Sequence, residues 1–188
     1  MVRIGHVPYN VTSYINKNRC RIYMYWEDIP WTEMTMVKIG DGLGFYGPLL
    51  VIVCVLMALR NMPQYALLYL VFVFINNCVN RLLKLMFMQD RPPGSVPFSK
   101  YETYRGAEHY GMPSGHASSV AFSWMFLYLL KPHSWWLLVT GFIGVLTCIQ
   151  RWKYKRHSVE QVVAGLFSGG AMAYLVQYIY KKIYKTSI

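Results

Sequence analysis

Five apolar runs, each close to the roughly 20 residues that carry a helix across a bilayer, leave this chain few folds to choose from. They extend from Leu43 to Leu59, from Tyr65 to about Met88, from Ser114 to Leu130, from Trp135 to about Ile149, and from His157 to near Tyr180. Charged residues make up only 14% of the 188 positions and hydrophobic ones 55%, against ~25% charge in an ordinary soluble domain. The expectation is an all-α fold: a polytopic membrane helix bundle with about five transmembrane helices plus an N-terminal interfacial segment. Residues 1–41 would form that segment and residues 42–188 the transmembrane core.

The N-terminal stretch is too polar to span. Arg3, Lys17, Arg19 and Arg21 alternate with Tyr, Trp and Ile, and Trp26, Pro30 and Trp31 flank the acids Glu27, Asp28 and Glu33. Trp and Tyr favour the headgroup level, so a short helix lying on the surface would suit it; the plain alternative is a disordered tail. Asn10-Val11-Thr12 is a glycosylation sequon. Tight polar turns at 60–64 and 131–134 and a basic loop at 151–156 join the runs, and a polar loop at 89–111 is long enough to suggest function. Asn76, Asn77, Asn80, Arg81 and Lys84 interrupt the second run. They require either snorkelling or a polar site between helices, and snorkelling suits Arg81.

The formal charge is +11. In a soluble chain that would suggest nucleic acid; here the cations lie between apolar runs, so membrane lipids and anionic substrates fit and nucleic acid does not. The four cysteines are scattered without a CxxC pair and say little about redox compartment.

Alternating spans bring the loops after runs two and four to one face of the bilayer. Lys84, Arg91, His116, Arg151 and His157 therefore converge. His116 follows Met112-Pro113-Ser114-Gly115, a helix entry in which Ser114 can cap, Gly115 admits a close ligand, and the unpaired N–H groups suit a phosphate. Divalent metals want carboxylates or sets of His and Cys, and Asp90, Glu102 and Glu108 are scattered, so the expectation is no metal and no cofactor. Cations alone suit an anion held directly. Two histidines allow one to attack phosphorus and the other to protonate the leaving oxygen. His109 and His133 read as plain loop residues, and Lys153, Lys155 and Arg156 as a patch facing headgroups.

These residues resemble the three signatures of the type 2 phosphatidic acid phosphatase superfamily of membrane lipid phosphatases. K-x6-R-P is matched by Lys84 to Arg91-Pro92, P-S-G-H by Pro113-Ser114-Gly115-His116, and S-R-x5-H-x3-D in part by Gln150-Arg151, His157 and Gln161. The resemblance covers roughly residues 84 to 161. It implies a metal-independent hydrolase acting on a lipid phosphate or a polyprenyl (dolichyl-type) diphosphate through a phosphohistidine. Lys84, Arg91 and Arg151 would clamp the phosphate, Ser114 and the Gly115 and His116 amides would bond it, His157 would attack, and His116 would protonate the leaving group.

The third signature departs twice, with Gln150 for Ser and Gln161 for Asp. His157 and Gln161, at i and i+4, would share one helix face. The expectation is that the Gln161 carbonyl accepts from His157 Nδ1 and that Arg151 and Arg156 keep the imidazole neutral. Gln161 and the Tyr-Gly-Met-Pro lead-in look more like the dolichyl diphosphatase branch. The alternative from another class is a catalytically weak or dead relative that binds phospholipid or a partner protein; a small transporter is a third. Most of the 19 Lys and Arg lie on the face with the candidate site, which by the positive-inside rule would be cytosolic. The resemblance implies a lumenal or extracytoplasmic site, in the endoplasmic reticulum or another endomembrane if the cell is eukaryotic.

Overall fold

The structure, a computed structural model, describes residues 13–16, 19–22, 36–95, 98 and 106–185. Its helices are α1 (Met36–Phe45), α2 (Gly47–Ala58), α3 (Pro63–Phe87), α4 (Gly115–Leu130), α5 (Trp136–Lys153) and α6 (Val159–Lys185), with a 3-10 turn at Gly106–His109 before α4. The all-α expectation holds for the bundle. Within residues 1–41, strands β1 (Ser13–Asn16) and β2 (Arg19–Ile22) pair antiparallel, Ser13 opposite Ile22 and Asn16 opposite Arg19. A hairpin thus stands where a surface helix would have served, and polar-apolar alternation at Arg19, Cys20, Arg21 and Ile22 is the strand period. Trp26, Trp31, their acidic neighbours and the Asn10 sequon lie outside the described residues.

The first run is a broken span. α1 begins at Met36, ahead of Leu43, and meets α2 at 71°. Gly44 and Gly47 flank the break, and both press against α5, where a Cβ would run into Leu146, Gln150 or Thr147. By length and composition α3 and α6 are each able to cross a membrane, and the bent α1–α2 pair passes with them as a third span. α4 and α5 do not pass that test alone. α4 has only 16 residues and half of them are buried among its neighbours, so it need not be uniformly apolar. α5 ends in the polar Gln150-Arg151 turn, which is buried.

α4 is the axis of the bundle and packs on α2, α3, α5 and α6. Its closest partner is α6, which presents Gly165 and Gly169 four residues apart; a Cβ on either would collide with the backbone of Ser114 or Ser118. Such small-xxx-small spacing lets two membrane helices approach closely. Away from the loops the core is apolar: Val51, Val55, Leu59, Phe122, Phe126 and Leu127 close around Tyr69, whose hydroxyl donates to Ser123 Oγ at 2.8 Å. Towards the loops it turns polar. Asn76, Asn80 and Lys84 line one buried face of α3, and Ser118 Oγ donates to Asn76 Oδ1 at 3.2 Å. Leu67, Phe74, Leu138, Phe142 and Phe167 point outward, the apolar exterior that lipid tails cover.

Candidate active site

The polar half of the core ends where α3, α4, α5 and α6 open onto the 88–114 and 154–158 loops. Lys84, Arg151 and His157 are buried there, exposed by only 2%, 1% and 3%. Arg81, on the next face of α3, keeps a side chain 70% exposed, as snorkelling requires.

His157 is held from both sides. Two residues beyond α5, Lys155 is in the left-handed region (φ 51°), and the amides of Arg156 and His157 both donate to the Arg151 carbonyl, at 3.0 and 3.2 Å. This turn folds His157 back over Arg151. The Nδ1 atom lies 2.7 Å from the Gly111 carbonyl. A carbonyl only accepts, so Nδ1 carries the proton and Nε2 keeps its lone pair. That lone pair faces Arg91 Nη1 at 3.2 Å. Burial, then the charges of Arg91, Arg151 and Lys84, hold the imidazole well below its usual pKa against the opposing Gly111 carbonyl. Arg91, not Arg156, is the leading charge.

Arg91 is anchored by its other contacts: Nη1 donates to the Arg156 carbonyl at 2.8 Å and Nη2 to the Glu108 carbonyl at 2.9 Å. Lys84 Nζ donates to Glu108 Oε2 at 3.0 Å and to the Tyr110 carbonyl at 3.2 Å. Arg151 Nε donates to Gln150 Oε1 at 2.7 Å, and its Cζ sits 5.3 Å from the Phe45 ring centroid. Gln150, the first departure from the third signature, thus orients the arginine beside it. Phe45 also faces His116, ring centroids 6.0 Å apart, and its carbonyl accepts from that imidazole. The charges of Lys84 and Arg151 bear on both histidines, so the expected convergence of all five residues is present.

Ser114 is the residue before α4, with an extended backbone, but its side chain does not cap the helix. Its amide donates to the Gln161 carbonyl at 2.9 Å, while its Oγ is buried with no hydrogen-bond partner among the described residues. Gly115 also makes room for α3, since a Cβ would come within 3.2 Å of Asn80 Oδ1. Among the described residues no three His, Cys, Asp or Glu side chains converge on one point.

Gln161 does not touch the His157 ring nitrogens. Its Oε1 accepts from the Ser158 amide at 3.2 Å while Ser158 Oγ accepts from the Gln161 amide at 3.3 Å. That reciprocal pair is a capping box opening α6, readable in the sequence as Ser-x-x-Gln before an apolar run. Its Nε2 donates to Gln89 Oε1 at 2.9 Å and to the Asp90 carbonyl at 2.8 Å. The Gly111 amide in turn donates to the Gln89 carbonyl at 2.7 Å. Gln161 thus holds the 89–90 segment just before Arg91, the same segment whose Gln89 carbonyl accepts from the Gly111 amide, and reaches His157 through Arg91 and Gly111. The expected direct contact is corrected: Gly111 occupies Nδ1, and it approaches so closely because a Cβ there would strike the Gln161 amide.

Two further residues escape a reading by signature. Glu108 supplies the counter-charge to Lys84, and nothing but its place in a long polar loop pointed to it. Arg156 is buried rather than part of an exposed patch, and its charge bears on His116 and Lys84. Lys153 pairs with Asp41 of α1, which also accepts from the Tyr154 hydroxyl at 3.0 Å. His109 and His133 stay exposed.

The family model of the PAP2 superfamily matches residues 65–185, which contain every residue of this cluster except Phe45. The chain belongs to the PAP2 superfamily. Membership makes it a phosphoric ester hydrolase and, with its spans, an integral membrane lipid phosphatase. Its fold is similar to the crystal structure of the first transmembrane PAP2 type phosphatidylglycerolphosphate phosphatase from Bacillus subtilis, with a TM-score of 0.59 at 21% identity over 81% of each chain. No curated protein matches it.

Proposed function

We propose that this PAP2 protein hydrolyses a lipid phosphate or a polyprenyl diphosphate through a phosphohistidine at His157. Support comes first from the lone pair on His157 Nε2, set by the Nδ1 contact with Gly111 among three buried cations. Nε2 attacks phosphorus, an N–P bond forms and the bond to the lipid-side oxygen breaks. Lys84, Arg91 and Arg151 match charge spread over the equatorial oxygens, and Ser114 Oγ donates to one of them. The substrate's own negative charge offsets the cations around His116 and favours a proton on its second nitrogen, which passes to the leaving oxygen. Water then cleaves the N–P bond, releases phosphate and restores the imidazole. The Bacillus subtilis neighbour, described as a phosphatidylglycerolphosphate phosphatase, favours a lipid monophosphate; Gln161 in place of Asp favours a polyprenyl diphosphate. The reading further places residues 1–41 at the bilayer surface beside a catalytic core of residues 42–188, with the site on the lumenal or extracytoplasmic face of an endomembrane.

The test is purified protein in chelator against a panel of lipid mono- and diphosphates, with release of inorganic phosphate measured. The expected result is turnover that His157→Ala abolishes, with an acid-labile, base-stable phosphoprotein trapped on quenching. Turnover unchanged in His157→Ala would overturn the reading. A folded protein that binds these lipids and releases no phosphate would mean a binding relative.

A further inference from the structure

At the end of the bundle away from the active site, the α2–α3 and α4–α5 turns enclose a cavity of about 350 Å³. Its polar lining is Arg60, Asn61, Lys131 and Ser134, and Trp135 and Trp136 form a wall; among the described residues no acid lines it. The two indoles stack with ring centroids 4.0 Å apart. Lys131 Nζ donates to the Ala58 carbonyl at 2.9 Å, near the end of α2. This fixes one cation at the cavity wall with two of its three N–H donors still available. Arg60, on the facing turn, is exposed.

The mechanism uses none of these residues. Their position is at a bilayer surface, because α2 and α4 end there and α3 and α5 begin there. A basic pocket between membrane helices suits an anionic lipid headgroup, and Trp at that level packs the glycerol and upper acyl region while keeping its N–H in the polar layer. We infer that this cavity is a second lipid site, which holds the phosphodiester of an anionic phospholipid between Arg60 and Lys131 in the leaflet opposite the active site. A bound anion there would tie the α2–α3 turn to the α4–α5 turn, and so brace the two hairpins that converge again at Lys84, Arg91 and His116.

The experiment uses full-length His157→Ala protein, so that no lipid is turned over, in neutral detergent. Bound lipid is counted by native mass spectrometry after addition of phosphatidylglycerol or phosphatidylcholine. The parent should retain phosphatidylglycerol in preference. Arg60→Gln and Lys131→Gln should each weaken retention on the order of fivefold, and together more. Lys84→Gln, at the active site, should leave this retention in place. Arg60→Gln is the decisive variant, because Lys131 also bonds a carbonyl and its loss can cost stability. Equal retention of both lipids, full retention in Arg60→Gln, or displacement by millimolar inorganic phosphate would overturn the inference. So would loss of the bound lipid in Lys84→Gln, which would move it to the active site.

Discussion

The two halves of the core solve opposite problems with the same helices. Away from the loops, Tyr69, Phe122, Phe126 and Leu127 pack by shape, and the Tyr69 hydroxyl has its partner in Ser123. Towards the loops, Lys84, Gln150, Arg151, His157 and Gln161 are equally buried; each makes at least one hydrogen bond, many of them to main-chain groups, while the Ser114 hydroxyl and Gln150 Nε2 have none among the described residues. Buried charge is costly unless paired, and here three or more cations crowd together with Glu108 as their nearby acid. The apolar half holds the bundle together; the polar half is kept in order by main-chain bonds so that an incoming phosphate completes it.

Substitutions in the two halves should therefore separate catalysis from stability. Lys84→Met or Arg151→Met should cut kcat/KM on the order of 10²–10³-fold, the scale for removing one donor from a site where charge develops. Both variants should keep the thermal midpoint within a few degrees or raise it, since a buried positive charge is removed. Phe126→Ala should do the reverse, with a loss of about 3–5 kcal/mol of stability and near-normal activity per folded molecule. Gly169→Val sharpens the contrast, because it wedges α6 from α4 in the apolar direction; Gly165→Val, against Ser114, should lose both stability and activity. Detergent-solubilised melts beside phosphate release decide it: equal stability loss in the Lys84 and Phe126 variants would erase the distinction.

Gln161 lies on the boundary. Because its Nε2 donates to two oxygens, any carboxylate there faces acceptors, so Gln161→Glu and Gln161→Asp should lower turnover at least as much as Gln161→Ala, each by roughly tenfold, a modest positioning effect beside the loss of a donor. Direct contact between Gln161 and His157 Nδ1, expected from the sequence, would have made Asp the milder change, but Gly111 has that contact instead. Better activity in Gln161→Asp than in Gln161→Ala, measured as kcat with KM followed separately, would restore the direct role.

That error shows where the sequence stops being legible. Apolar run length and the spacing of Lys84, Arg91, His116, Arg151 and His157 were enough to find the bundle and the cluster, because both follow from periodicity and alternation. The partner of His157 Nδ1 is a main-chain carbonyl, and a carbonyl has no residue type; only the absence of a Cβ at Gly111 leaves a trace. Glu108 is tied to Lys84 across a loop whose path no period fixes. The bend of α1 on α2 depends on Gly44 and Gly47 meeting α5, a contact between distant segments. The capping box at Ser158–Gln161 and the spacing of Gly165 and Gly169 were visible as patterns, and the structure gives them their places.

The pH dependence follows from the same crowding. His157 must be neutral to attack, and its pKa is held well below the ordinary value by burial and by Arg91, Arg151 and Lys84. Its protonation therefore begins only at a pH well under ~6.5, so the acid limb of kcat/KM that it sets should lie below that value. Arg91→Gln removes the leading charge, raises the pKa of His157 and should move the limb to higher pH, apart from any loss of overall rate. A limb that stays in place in Arg91→Gln would show that another group sets it.

The smallest expected effect tests what occupies the polar half before substrate does. Lys84 spends two of its three donors on Glu108 and the Tyr110 carbonyl, and a phosphoryl oxygen must either take the third or displace the carboxylate. Glu108→Gln keeps the shape and removes the competing charge. Inorganic phosphate, the product, should then inhibit at severalfold lower concentration, while the thermal midpoint falls slightly because Lys84 loses its counter-charge. Weaker product inhibition in Glu108→Gln would mean that the carboxylate positions Lys84 for the phosphate instead of competing with it, and the polar half would then be complete before any ligand arrives.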